Sequence, residues 1–250
     1  MYSPQFGNMD KSIVTLLLAL LVLSTQSQPL YGKTLSATIE HKKVLPAVPE
    51  ELRAGATFDD SYLQAMSSSK WFKIPDWLAG TWQRKRIKKR VMGMAVVSVA
   101  DHRIRHFGHQ VDARKEIWHW VKVPRRIITE RPNLLSYFFA SDESCEEIDK
   151  NTVKVRTIWT AWSVNKSNNQ IVKVQQGDQI DIFKLKASGK LKADSYTQYY
   201  NQSGIKIASQ RAYWEESKIE EFNQIDFQDN QNLRVLFEEF LKQNGLTDLL

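Results

Sequence analysis

From residue 81 to about 222 the chain alternates apolar and polar positions in short runs rich in β-branched and aromatic side chains, the pattern of half-buried strands. It predicts strands at 81–92, 94–106, 110–123, 126–130, 134–140, 152–164, 170–176, 179–187, 191–200 and 205–216. Turn residues separate several of them. Ser188-Gly189 divides "IDIFKLKA" from "KLKADSYTQYY", a two-residue hairpin signal. Residues 165–169 and 201–204 mark two further turns, and Gly177-Asp178 marks a break or a bulge. Connections this short make neighbouring strands antiparallel, and no helical period intervenes that could build parallel crossovers. At the tail the period changes. In "NQNLRVLFEEFLKQNG" (230–245), Leu233, Leu236, Phe237, Phe240 and Leu241 recur at helical spacing, with Asn230 placed to cap the start and Gly245 the end.

The N-terminal quarter is organised differently. "IVTLLLALLVLS" (13–24) is an uncharged apolar run of twelve behind Lys11, followed by Thr25 and Ser27 as the small residues of a cleavage point. That is the layout of a secretory signal, and twelve apolar residues are too few to span a bilayer comfortably. Residues 28–56 hold Pro29, Pro46 and Pro49 without periodicity and read as an exposed arm. Thr57 then caps a short helix through "FDDSYLQAMSS". The chain divides into a signal peptide at 1–27, an arm with a short helix at 28–70, a β-domain at 71–225 and a C-terminal helix at 226–250. The expected location is the periplasm or the extracellular space.

Nine or ten antiparallel strands in one meander are expected to close into a β-barrel, because closure removes both free edges. The entrance to the first strand supports this. "IPDWLAGTWQ" (74–83) places Gly80, Thr81 and Trp82 at its start, and this resembles the first signature motif of the lipocalin and wider calycin families. The resemblance implies a lipocalin-like barrel in which Trp82 plugs the closed end and a basic residue from a late strand packs over it, with Arg211 the candidate. The family's Thr-Asp-Tyr motif has no clear copy here, and a chain with one cysteine lacks the family's common disulfide. The likeness is therefore to the architecture.

Charge is unevenly placed. Residues 84–126 carry thirteen Lys and Arg against three acids, a net of +10, whereas the whole chain carries +7. Within "RKRIKKR", strand alternation puts Arg84, Arg86, Lys88 and Arg90 on one face with Trp82, a basic surface for anionic partners. His102, His106, His109 and His119 fall close together, but Arg103 and Arg105 beside them repel a cation, so neither metal nor cofactor is expected. Cys145 sits in the acidic, turn-like "SDESCEEID", where neighbouring carboxylates disfavour a reactive thiolate. Nucleophile elbow, phosphate loop, dinucleotide fingerprint and paired-carboxylate signatures are all missing, so no catalytic residue is assigned and binding is favoured over catalysis. The expected partner is a small apolar or amphipathic ligand, including anionic ones, held by His106, Trp118, Trp120, Trp159 and Tyr213. The alternative is an interaction factor that meets an anionic membrane surface or a protein through the basic face, with no ligand cavity. Nucleic acid is disfavoured.

Overall fold

The structure, a computed structural model, describes residues 39–59, 61, 68–91, 95–123 and 125–250. The described residues from His41 to Leu250 belong to one compact unit. The signal segment and most of the helix expected after Thr57 lie outside the described residues.

Among the described residues thirteen strands follow in chain order: β1 (Ser68–Ile74), β2 (Gly80–Val91), β3 (Val97–Phe107), β4 (Gln110–Val111), β5 (Ile117–Val123), β6 (Arg125–Glu130), β7 (Leu134–Asp149), β8 (Thr152–Asn165), β9 (Ile171–Ala187), β10 (Lys190–Tyr200), β11 (Lys206–Glu220), β12 (Phe227–Gln228) and β13 (Gln231–Asn232). Helix α1 (Leu233–Gln243) follows. Every strand pair is antiparallel. Eight strands form one sheet in the order β3-β2-β11-β10-β9-β8-β7-β6, and β1-β5-β4 form a second.

The large sheet curls into a half-barrel. Phe107 on β3 and Phe183 on β9 stand four strands apart in its order, about 19 Å if the sheet were flat. Their ring centroids are 5.5 Å apart. The barrel does not close: β3 and β6 remain its two edges. The stretch expected to supply one more barrel strand, 110–123, instead turns at 112–116 and pairs with β1. The cause is its two apolar faces. Ile117, Val121 and Val123 are buried on one, and Trp118 and Trp120 on the other. A strand apolar on both faces needs a cover on each. The first face turns to the half-barrel, where Ile117 joins a core with Trp82, Phe183 and Trp214. The second is covered by α1 through Leu233, Phe237 and Leu241.

Other boundaries also move. β7 runs on through the acidic stretch read as a turn, and β9 passes unbroken through Gly177-Asp178. α1 is capped by Asn232, whose side chain accepts the Val235 N–H, while Asn230 takes a left-handed conformation (φ 60°) in the preceding hairpin.

From His41 onward the segment read as an exposed arm is bonded along the convex face. The N–H groups of Leu45, Val48 and Gly55 donate to Gly204, Gln202 and Ile171, and Trp162 Nε1 donates to Leu52 O. Val48, Leu52 and Phe58 pack on Tyr137, Trp162 and Ile171. Asp178 fixes one end of this strap, accepting from the Lys42 N–H at 2.9 Å and from Arg156 at 2.9 and 2.6 Å. Burial alone would raise its carboxyl pKa, but His41, Arg156 and the Lys42 N–H outweigh burial and hold it well below the usual range. A depressed carboxyl pKa adds stability that is complete above the ordinary value of 3.8 and is lost as the pH falls through the folded-state value. Asp178→Ala is expected to cost about 3 kcal/mol in urea unfolding at pH 7, with the difference from wild type shrinking below pH 3.8.

Candidate functional site

The inner face is built from rows set by strand register. The lowest row, Val153, Phe183, Ala193 and Trp214, is apolar. Beside it Trp82 is fully buried, and its Nε1 donates to Leu78 O at 2.8 Å. Gly80 enters β2 at φ +118°, and a Cβ there would lie 2.6 Å from Glu220 O, so only glycine fits this approach. The basic residue over Trp82 is Lys218, 5.2 Å from the ring centroid. Arg211, expected there, faces the opposite side of β11, where it bonds Asp194 and lies over Tyr196.

Around this plug runs a charged belt. Arg84 is buried, bonds Asp101, and stacks 4.4 Å from the Trp214 ring centroid. Burial first, then Arg105, lowers its pKa, against Asp101 and Glu216. Arg84 does not share a face with Arg86, Lys88 and Arg90 as alternation predicted. Between Arg84 and Lys88 β2 carries one residue more than β11 does between Glu216 and Tyr213, and this bulge shifts the phase of β2 and turns the later three outward, where they are exposed. Glu216, also buried, accepts Trp214 Nε1 at 2.7 Å and lies 3.5 Å from Arg105.

The next two rows read Cys145, Val155, Asp181, Ser195, then Glu143, Thr157, Gln179, Thr197. Gln179 Nε2 donates to both Asp181 oxygens at 3.0 Å. Glu143 accepts from Thr157 at 3.3 Å and lies 3.5 Å from the half-exposed Arg125 of β6. Burial is the main cause of its raised pKa. Asp181 adds to the rise, while Arg125, Thr157 and Arg105 oppose it. Cys145 faces the same interior, and burial followed by Glu143, Glu147 and Glu146 pushes its thiol up to about 12, which removes nucleophilic character.

Above the belt lies an aromatic shelf. Trp159 rests between Phe138 and Tyr199, with centroids 5.2 and 5.9 Å away. A Cβ at Gly177 would meet the Trp159 ring at 2.2 Å, so the indole lies directly on the glycine. Three buried polar atoms on this inner face have no hydrogen-bond partner: Trp159 Nε1, Arg84 Nε and Glu216 Oε2.

The remaining sequence candidates lie elsewhere. Trp118 and Trp120 are under α1. Tyr213 is on the convex face beneath Lys88. His106 sits where β3 ends, bonded to Thr81 and Gly108 O, near His109 and His119 but apart from the exposed His102. Among the described residues no set of three His, Cys, Asp or Glu is arranged to hold a metal ion. Of the expected ligand-binding residues, only Trp159 faces the belt. Asp181, Gln179, Glu143 and Arg125 are not marked by any motif, and Arg105 is read from the sequence only as repelling a cation. Their one sequence signal is the alternation of Gln179 and Asp181 with Ile180 and Ile182.

Fold and site together define an antiparallel half-barrel with a charged interior belt beneath an aromatic shelf. No family model matches the chain, and neither a curated protein nor a solved structure shows significant similarity to it.

Two outcomes follow for purified variants. A raised carboxyl pKa makes ionisation costly in the folded state, so stability falls as pH rises above the ordinary 4.5. Glu143→Gln is therefore expected to have a higher melting temperature than wild type at pH 7, an advantage that vanishes at pH 4.5 and below. Gly177→Ala is expected to displace the indole, altering the near-ultraviolet dichroism and Trp fluorescence and costing about 1–3 kcal/mol.

Proposed function

We propose that this protein is an exported, lipocalin-like carrier that holds a small amphipathic ligand on the concave face. The observation that supports this reading most is the belt itself. A barrel interior that only fills space needs apolar side chains, and the lowest row here is of that kind. The rows above it hold Asp181, Glu143, Gln179, Thr157 and Thr197, with orphaned polar atoms nearby. Buried polar groups without partners are costly unless another molecule satisfies them. In this reading the apolar part of the ligand lies along Phe138, Trp159 and Tyr199. Its polar head reaches the Arg125 side of the belt, where an anionic group exchanges for the long Arg125–Glu143 contact while Glu143 takes up a proton.

A second reading rests on the outward cations. Arg86, Lys88 and Arg90 are exposed, and none forms an ion pair among the described residues. In this reading they meet an anionic membrane surface, and binding to anionic vesicles falls away in high salt.

The carrier reading is tested by native mass spectrometry of the purified protein and by Trp-quenching titration with a fatty acid. Saturable quenching at one ligand per chain is expected at pH 7. Gly177→Ala and Arg125→Gln should each weaken it about tenfold, the loss of roughly one charge-assisted hydrogen bond or one stacking surface. Lack of a co-purified ligand together with lack of saturable quenching excludes this role. Flotation with anionic liposomes then decides whether the outward cations carry the function.

A further inference from the structure

At Gly108 the chain leaves the β3 edge of the half-barrel and enters the small sheet, and β5 then leads to β6 at the other edge. The small sheet therefore lies between the two unpaired edges in chain order. Three imidazoles meet at the β3 corner. The ring centroids of His106 and His109 are 5.5 Å apart, and those of His109 and His119 are 4.8 Å apart. His109 Nδ1 accepts the Trp120 N–H at 2.9 Å, and His119 Nδ1 accepts the Gly108 N–H at 3.2 Å. Both bonds join the corner to β5.

A ring nitrogen that accepts from a backbone N–H carries no proton, so both imidazoles are held neutral with their proton on Nε2. Protonating Nδ1 sets a donor against a donor and breaks the bond. The surroundings offer no compensation. His119 faces Phe107 of β3, Phe72 of β1 by register, His109, His106 and Arg125 of β6. His109 faces His106, His119, Trp120 and Gln228. Among the described residues no carboxylate bonds either ring. Glu220 reaches the cluster only through Thr81 and His106.

We propose that the corner where β3 passes into the β1-β5-β4 sheet is an acid-released latch on β5, closed by the Trp120 N–H on His109 Nδ1 and the Gly108 N–H on His119 Nδ1. Protonation states support it. Burial, then His106, lowers His109 to about 4, and burial, then His109, His106 and Arg125, lowers His119 well below 6.5. A depressed histidine pKa means that the open form takes the proton first. The latch is complete above pH 6.5 and weakens as the pH falls towards 4. The Asp178 contact that fixes the strap weakens only below 3.8, so the latch yields before that contact does. That opening frees a bound ligand rests on the carrier reading; the opening itself does not.

Amide hydrogen exchange of the full chain at pH 7.5 and 5.0, corrected for intrinsic rates, tests the latch. Protection at Gly108, Trp120 and their neighbours in 117–123 is expected to fall about tenfold or more at pH 5.0 while β8–β10 stays protected. In H109N/H119N the Asn Oδ1 stands near the Nδ1 position and accepts without titrating, so protection there should become independent of pH. Equal loss across both sheets, or a pH response that survives in the double variant, overturns the proposal. Nitrogen-15 spectra of the wild-type histidines give a readout that needs no variant: His109 and His119 should gain Nδ1 protons in step with lost protection. Protonation without opening also overturns it. Opening that leaves fatty-acid binding unchanged keeps the latch and counts against the carrier reading.

Discussion

The architecture depends on one strand with two apolar faces. Residues 117–123 present Ile117, Val121 and Val123 on one side and Trp118 and Trp120 on the other. In a closed barrel one of those faces would meet water. Fully burying an aromatic or branched aliphatic side chain is worth about 1.5–3 kcal/mol, so a closed barrel that exposed two tryptophans would forgo several kcal/mol. The chain therefore spends this strand in a second sheet, with the half-barrel on one side and α1 on the other. The open edges, the position of α1 and the histidine corner all descend from that choice.

Much of this was legible because it is local. Short turns forced antiparallel pairing, helical spacing of Leu233, Phe237 and Leu241 placed α1, and "AGTW" placed a buried tryptophan at the start of a strand. What escaped was non-local or a matter of phase. Alternation assigns Arg84 to the face of Arg86 only if β2 has no bulge, and the bulge is set by its partner strands. A late basic residue over Trp82 was foreseen, but Arg211 and Lys218 lie seven positions apart, an odd number, which places them on opposite faces of β11.

The belt was hidden by a reasonable rule. Polar residues alternating with apolar ones are ordinarily read as a solvated face. On β9 both faces are buried: Ile180 and Ile182 turn outward, and Asp181 and Gln179 turn into the half-barrel. The polarity of Asp181 marks an interior. The same inversion explains why the aromatic residues expected to line a ligand site mostly serve packing. Trp118 and Trp120 hold the helix and Tyr213 lies outside, which leaves Trp159 on its glycine as the expected aromatic that faces the belt.

Cys145 gives the molecule a practical property. It is the only cysteine, it faces inward, and its thiol is pushed up to about 12. Alkylating reagents, which need an accessible thiolate, should pass it by while the half-barrel is intact. A cysteine introduced on the rim or on α1 can then be labelled alone without altering the native chain. Slow modification of Cys145 itself becomes a built-in clock for opening of the large sheet.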